Sequence, residues 1–226
     1  AELLAKELGQ TVEYTWFPQR IGFIRNTLMA SVDEKAAEIK EYKCDVVMGL
    51  PTGYDLTETT IPYYTSTYVL LIAKGRGWDD ITQDAAQLTN ISPERQDKLK
   101  IAMFDQTPGT TWLQKSGLLE YGIPYQSMSG DDNNNTAMQI EKDLKTKKID
   151  MVIIWGPMAG YIISQSPKNS YTMIPMKASM GVKFDFPMSI GVRKSDKERK
   201  AVLDRLILTK SKDIKAIIAK YNIPML

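Results

Sequence analysis

The chain has 226 residues, 43% hydrophobic and 25% charged, an ordinary balance for a globular protein. Twenty-nine basic against 27 acidic residues leave a formal charge of +2, which gives no nucleic-acid signature. The sign-alternating run RKSDKERK (193–200) reads as the solvated start of a helix. With no histidine and one cysteine, His- or Cys-built zinc sites, a Ser-His-Asp triad, Cys-His catalysis and His-ligated haem are excluded. No run approaches the roughly 20 apolar residues of a membrane span.

In chain order, the pattern predicts a helix over 1–9 that ends at Gly9. TVEYTWF (11–17) alternates as a strand should, and Pro18 opens a helix through GFIRNTLMA. An irregular segment, 31–43, leads to a strand over 45–50, then the turn-rich loop PTGYDLTETTIPYY and a continuously apolar strand over 66–74. A second unit follows. It has a strand at 98–105, a turn at 106–111, a helix through WLQKSGLLEYG, a helix at 136–146, a strand at 149–155, and helix or loop at 157–165. Residues 170–177 and 186–194 look extended, and 195–221 reads as two amphipathic helices carrying Leu203, Leu206, Ile207, Ile214, Ile217 and Ile218. Strand–helix alternation in two units predicts an α/β protein with two lobes, 1–72 plus 185–226 and 73–184.

Smaller features carry little chemistry. SGDDNNN (129–135) lacks the spacing of a calcium loop and reads as a polar turn. The twelve methionines are scattered as core fillers rather than clustered as copper ligands. Cys44 is either a small buried apolar residue or half of a disulfide whose partner lies upstream of Ala1. Because the chain opens inside a helix, a signal sequence and a first strand are expected to precede Ala1.

The ordered fragments AELLAKELG…VEYTW, KCDVVMGLPTGYDLTETTIPYY, YVLLIAK, KIAMFDQTPGTT, KKIDMVIIWGPMAGY, FPMSIGVRKSDK and IIAKYNIP resemble type II periplasmic solute-binding proteins over essentially the whole chain. More narrowly, YTWFPQRIGFIRNTL, CDVVMGLPTGYD, WGPMAGY and MSIGVRKSDK resemble the J-type accessory proteins encoded alongside periplasmic methanol dehydrogenases. The segment 31–43 is longer than the connection expected in that family. The resemblance implies a two-lobed Venus-flytrap fold, export to the periplasm, no cofactor and no catalysis. It also implies a partner, a subunit of a PQQ-containing methanol dehydrogenase, served by assembly, activation or chaperoning. The alternative is a substrate-binding protein of an ABC-type transporter for a small non-amino-acid solute. In an exported chain of this fold, Cys44 is expected to pair with a cysteine upstream of Ala1.

Amino-acid-binding relatives grip the carboxylate with an Arg in the loop before PYY and the ammonium with an Asp ending the strand that corresponds to 150–155. Here loop 51–61 has neither Arg nor Lys, and the strand ends in Trp155. Burying a zwitterion without charged partners costs several kcal/mol, so a free amino acid is not the expected ligand. Trp155 is read three ways: packing within a vestigial cleft, a platform for a flat ligand, or an anchor for a protein partner. Gly156, Pro157 and Tyr161 complete its corner. Trp16, Gln19 and Arg20 sit at another strand end, with Arg20 facing an anion or making a surface ion pair. Thr110 and Thr111 open a helix that favours anions or simply cap it. Tyr63 and Tyr64 line the cleft or the hinge, or pack.

Overall fold

A computed structural model describes residues 1–17, 21–35, 38, 41–128 and 135–226. The expected helix opening at Pro18, the candidates Gln19 and Arg20, and most of the turn 129–135 lie outside the described residues. In chain order the elements are α1 (Glu2–Glu7), α2 (Phe23–Asn26), β1 (Val47–Pro51), β2 (Glu58–Thr59), β3 (Tyr64–Ala73) and α3 (Pro93–Gln96). Next come β4 (Ile101–Phe104), α4 (Pro108–Lys115), β5 (Gly122–Tyr125), α5 (Thr136–Lys145), β6 (Met151–Trp155) and α6 (Gly156–Ser164). β7 (Tyr171–Pro175), β8 (Asp185–Val192), α7 (Lys197–Thr209) and α8 (Ser211–Lys220) close the chain. The chain divides into two compact units, Ala1–Thr65 with Phe186–Ile218 and Ser66–Asp185 with Ala219–Leu226. This is the two-lobed α/β class that the sequence predicts.

In the first unit β1 and β2 pair antiparallel with β8, with a bulge between Val47 and Leu50 where Gly49 has φ +76. Ile24, Leu28, Val47 and Leu50 form a small core. The two C-terminal helices bury Leu203, Ile207, Ile214 and Ile218, but Ile217 is exposed.

The second unit holds the larger core, on a sheet ordered β7-β3-β6-β4-β5. β3 is antiparallel to β6 and β7, while β4 is parallel to β5 and β6. Both faces are covered. Leu70, Ile72, Ile101, Met151 and Ile153 pack with Trp112, Leu113 and Phe184 on one face, and Val69, Leu71, Ala102, Val152 and Ile154 pack with Ile140 and Ala159 on the other. Burial on two sides is why YVLLIA and MVIIW are apolar throughout instead of alternating.

Three expected elements differ. Residues 11–17 form no strand: alternation makes a strand only where a ladder partner exists, and the hydrogen bonds described here come from side chains, the Tyr14 hydroxyl to Glu2 Oε1 at 3.5 Å and Thr15 Oγ1 to the Lys43 carbonyl at 3.4 Å. The helix through GFIRNTLMA shrinks to the single turn of α2, with Gly22 left-handed before it and Thr27 Oγ1 bonding back to the Phe23 carbonyl at 2.7 Å. The helix through WLQKSGLLEYG stops at Lys115 in a Schellman motif. Gly117 takes φ +72, and the Leu118 N–H reaches the Leu113 carbonyl at 2.8 Å. Leu119–Tyr121 then make a short 3-10 turn, and Gly122 opens β5, which the sequence reading missed.

Asp143, buried on α5, ties that helix to β5 and to the turn before β6. Its Oδ2 accepts from the Tyr125 hydroxyl at 2.6 Å and from Lys148 Nζ at 2.9 Å. Burial pushes its carboxyl up, but hydrogen bonds from Tyr125, Gln139 and Lys148 outweigh that and hold it below the ordinary carboxylate range. Asp143→Asn is expected to cost about 1.5–3 kcal/mol near neutral pH. A depressed folded-state pKa stabilises above the unfolded value of about 3.9, and the benefit fades as pH falls through the folded value. Denaturant titrations at about pH 7 and about pH 3 should show the gap between mutant and wild type narrowing in acid; a constant gap would contradict this.

Candidate functional site

In the second unit the parallel strands β4, β5 and β6 end on one edge of the sheet, the side where open α/β sheets hold ligands. Trp155 ends β6, half-buried, directly across the ladder from Tyr68. Their rings are 5.3 Å apart and tilted by 58°, and Tyr68 in turn meets buried Phe184 edge-on at 6.5 Å. The tryptophan is therefore set by β3 and extends an aromatic row. Pro157 starts α6 without needing an N–H partner, and Tyr161, one turn on, is exposed.

Gly156 and Gly160 face the chain's own C-terminus. A Cβ on Gly156 would lie 2.5 Å from Pro224 Cγ and 2.6 Å from the Thr67 carbonyl oxygen, and one on Gly160 would strike the Tyr221 carbonyl oxygen. Pro224 is held besides by Ser66, whose hydroxyl donates to the Pro224 carbonyl at 2.6 Å.

At the end of β4 the threonine hydroxyls bond to backbone carbonyls. Those of Thr107 and Thr110 donate to the Phe104 carbonyl, and that of Thr111 to the Thr107 carbonyl at 3.3 Å. None of the three caps the α4 N–H groups. A Cβ on Gly109 would lie 2.7 Å from Ile153 Cγ2, so the first turn of α4 is pressed onto β6. Among the described residues an acid on this edge is Asp105, exposed, accepting from the Ser127 N–H at 3.2 Å and hydroxyl at 2.9 Å. Sequence reasoning passed over it, although an acid directly after a buried strand (IAMFD) was a readable signal.

The first unit carries the other candidates. Trp16 is 80% exposed and stacks on Tyr14 at 5.7 Å, 13° from parallel. Tyr63 and Tyr64 pack ring to ring at 4.9 Å. Burial raises both phenols, for Tyr63 against a hydrogen bond with the Gly49 backbone, so neither ionises at neutral pH. Loop 51–61, where the basic clamp would sit, bonds largely to itself and to β8. Thr52 Oγ1 lies 2.7 Å from Ser189 Oγ, the Gly53 N–H donates to Thr59 Oγ1 at 2.9 Å, and Thr57 Oγ1 donates to the Tyr54 carbonyl.

Two surface cavities, about 460 and 430 Å³, lie in the second unit beside Asp80 with Arg95 and beside Lys74 with Arg76 and Lys145. Neither is lined by any of these candidates. Among the described residues no group of three His, Cys, Asp or Glu is placed to hold a metal ion. Cys44 is a free thiol within these 226 residues.

No family model matches the chain. Over its whole length it is 26% identical to the protein MoxJ of Methylorubrum extorquens (strain AM1) and 25% identical to MoxJ of Paracoccus denitrificans, covering 74% and 80% of those proteins. Its structure is similar to that of the periplasmic binding protein XoxJ from Methylobacterium extorquens AM1, with a TM-score of 0.72 and 28% identity over 100% of this chain and 87% of that one. The chain is thus similar over its whole length to the MoxJ proteins and has a type II periplasmic-binding-protein-like fold. An ancestral cationic amino acid solute-binding protein shares the fold, with a TM-score of 0.66 at 19% identity over 97% of this chain and 81% of that one. Compared with the amino-acid binders of this fold, this chain has Trp155 where the resemblance places an acid and a self-bonded hydroxyl loop where it places an Arg.

Proposed function

We propose that this chain is a periplasmic accessory protein of a PQQ-containing methanol dehydrogenase and works by contacting a dehydrogenase subunit. The names MoxJ and XoxJ of its relatives support a setting in methanol oxidation. The observation that carries the reading is Trp155 itself. The strand end that would hold a ligand's ammonium is a tryptophan packed on Tyr68, the kind of rigid aromatic group that dominates protein interfaces. The second reading, delivery of a small non-amino-acid solute to an ABC-type transporter, is favoured by the fold shared with solute-binding proteins.

Two measurements follow, the first on the accessory role and the second on the ligand chemistry. Sedimentation of the purified chain with a methanol dehydrogenase should give a complex. A chain that co-sediments with no dehydrogenase subunit would overturn the accessory role. Calorimetric titration with the common amino acids at millimolar concentration should give no heat of binding, because a zwitterion would enter without charged partners. Micromolar affinity for any of them would overturn the present account of Trp155 and loop 51–61.

A further inference from the structure

The C-terminal segment and the WGPMAGY corner explain one another. Gly156 and Gly160 are four residues apart and so share one face of α6, and both are buried. What covers that face is residues 219–226, which belong to the second unit although the helix leading into them, α8, lies mostly in the first. The chain turns off α8 with Asn222 at φ +54 and its N–H on the Ala219 carbonyl at 3.1 Å. Backbone then meets Gly160, Pro224 meets Gly156, and Ser66 on β3 holds the Pro224 carbonyl.

We infer that residues 219–226 are a strap docked in cis on a seat made by the two glycines, and that this strap holds the corner carrying Trp155. The seat is buried, but the strap is shallow: Ile223 and Pro224 are half-buried, while Tyr221, Met225 and Leu226 are exposed. Such shallow burial is the signature of a segment that opens locally without unfolding the core. The glycines thus serve the chain's own tail. The inference is independent of the dehydrogenase reading.

Hydrogen exchange on the full chain tests it. In the wild type, amides of 219–226 and of the first turn of α6 should exchange together and ahead of β4 and β6. In Gly160→Ala the added methyl meets backbone that has no side chain to move aside, so exchange of 219–226 should rise about tenfold or more while β4 and β6 stay as they are. Helix propensity alone makes the opposite prediction, since alanine in a helix is better than glycine. A raised melting temperature with unchanged tail protection would overturn the strap, as would acceleration spread evenly over β4 and β6. If Gly160→Ala does not fold, Ser66→Ala, which removes only the donor to Pro224, should speed tail exchange several-fold. An unchanged tail in that variant overturns the inference equally.

Discussion

Arg193→Ala is expected to remove about 3–5 kcal/mol from the first unit. Arg193 is only 9% exposed at the end of β8. One guanidinium nitrogen donates to the Leu28 carbonyl at 3.0 Å and to the Cys44 carbonyl at 2.6 Å, while the other reaches Asp45 Oδ1 at 3.2 Å. The plane lies 4.0 Å over the ring of Tyr42. Asp45 is 64% exposed, so its ion pair is worth less than about 1 kcal/mol. Most of the cost comes from the two carbonyls that lose a charged donor and from the lost stacking. Arg193→Lys keeps the charge but not the planar fork, and should lose about half as much by the hydrogen-bond count. Urea titration with residue-level exchange at Leu28 and over 44–50 is the measurement. A loss below about 1 kcal/mol for the alanine variant would mean that water replaces the fork.

That clamp recasts the fragments on which the family resemblance rests. CDVVMGLPTGYD and MSIGVRKSDK meet each other: the Cys44 carbonyl receives Arg193, and a Cβ on Gly191 would lie 2.5 Å from Leu50 Cδ1. Asp196, from the same fragment, caps α7 by accepting from the Arg199 N–H and Nε. WGPMAGY meets YNIP through its two glycines. These fragments therefore record contacts between distant parts of the chain, which is why their order reads out a fold more securely than a site.

The parts of the fold legible in the sequence are those where burial is two-sided or a breaker is unambiguous. YVLLIA and MVIIW declared buried strands, and Gly9 stopped α1 as expected with φ +65. The misread parts turn on partners or on one glycine. TVEYTWF has the period of a strand but no ladder, and Gly117 ends α4 inside what reads as one helix. At the candidate site, Trp155 and the missing basic residue of loop 51–61 were visible. The seat at Gly156 and Gly160 was not, because its occupant lies some sixty residues on and nothing in the local pattern of α6 points to it.

Under the accessory role, Trp155→Ala should weaken binding of the dehydrogenase large subunit by about 2 kcal/mol or more, roughly thirtyfold. The fold should survive. Trp155 is half-buried, and losing its contact with Tyr68 removes about 0.5–1.5 kcal/mol beyond the area it covers. Trp16→Ala is the companion: at 80% exposure outside any helix or strand it should leave the melting temperature unchanged, so any fall in affinity is an interface effect. Arg20→Ala extends the scan along WFPQR. Affinities and melting temperatures measured together decide between the anchor and packing readings of Trp155. Weaker binding with a retained fold makes it an anchor, and wild-type binding by all three variants moves the interface elsewhere. If Trp155→Ala alone unfolds the second unit, the aromatic row through Tyr68 and Phe184 is core, and the strand end has been closed to ligand and partner alike by its own packing.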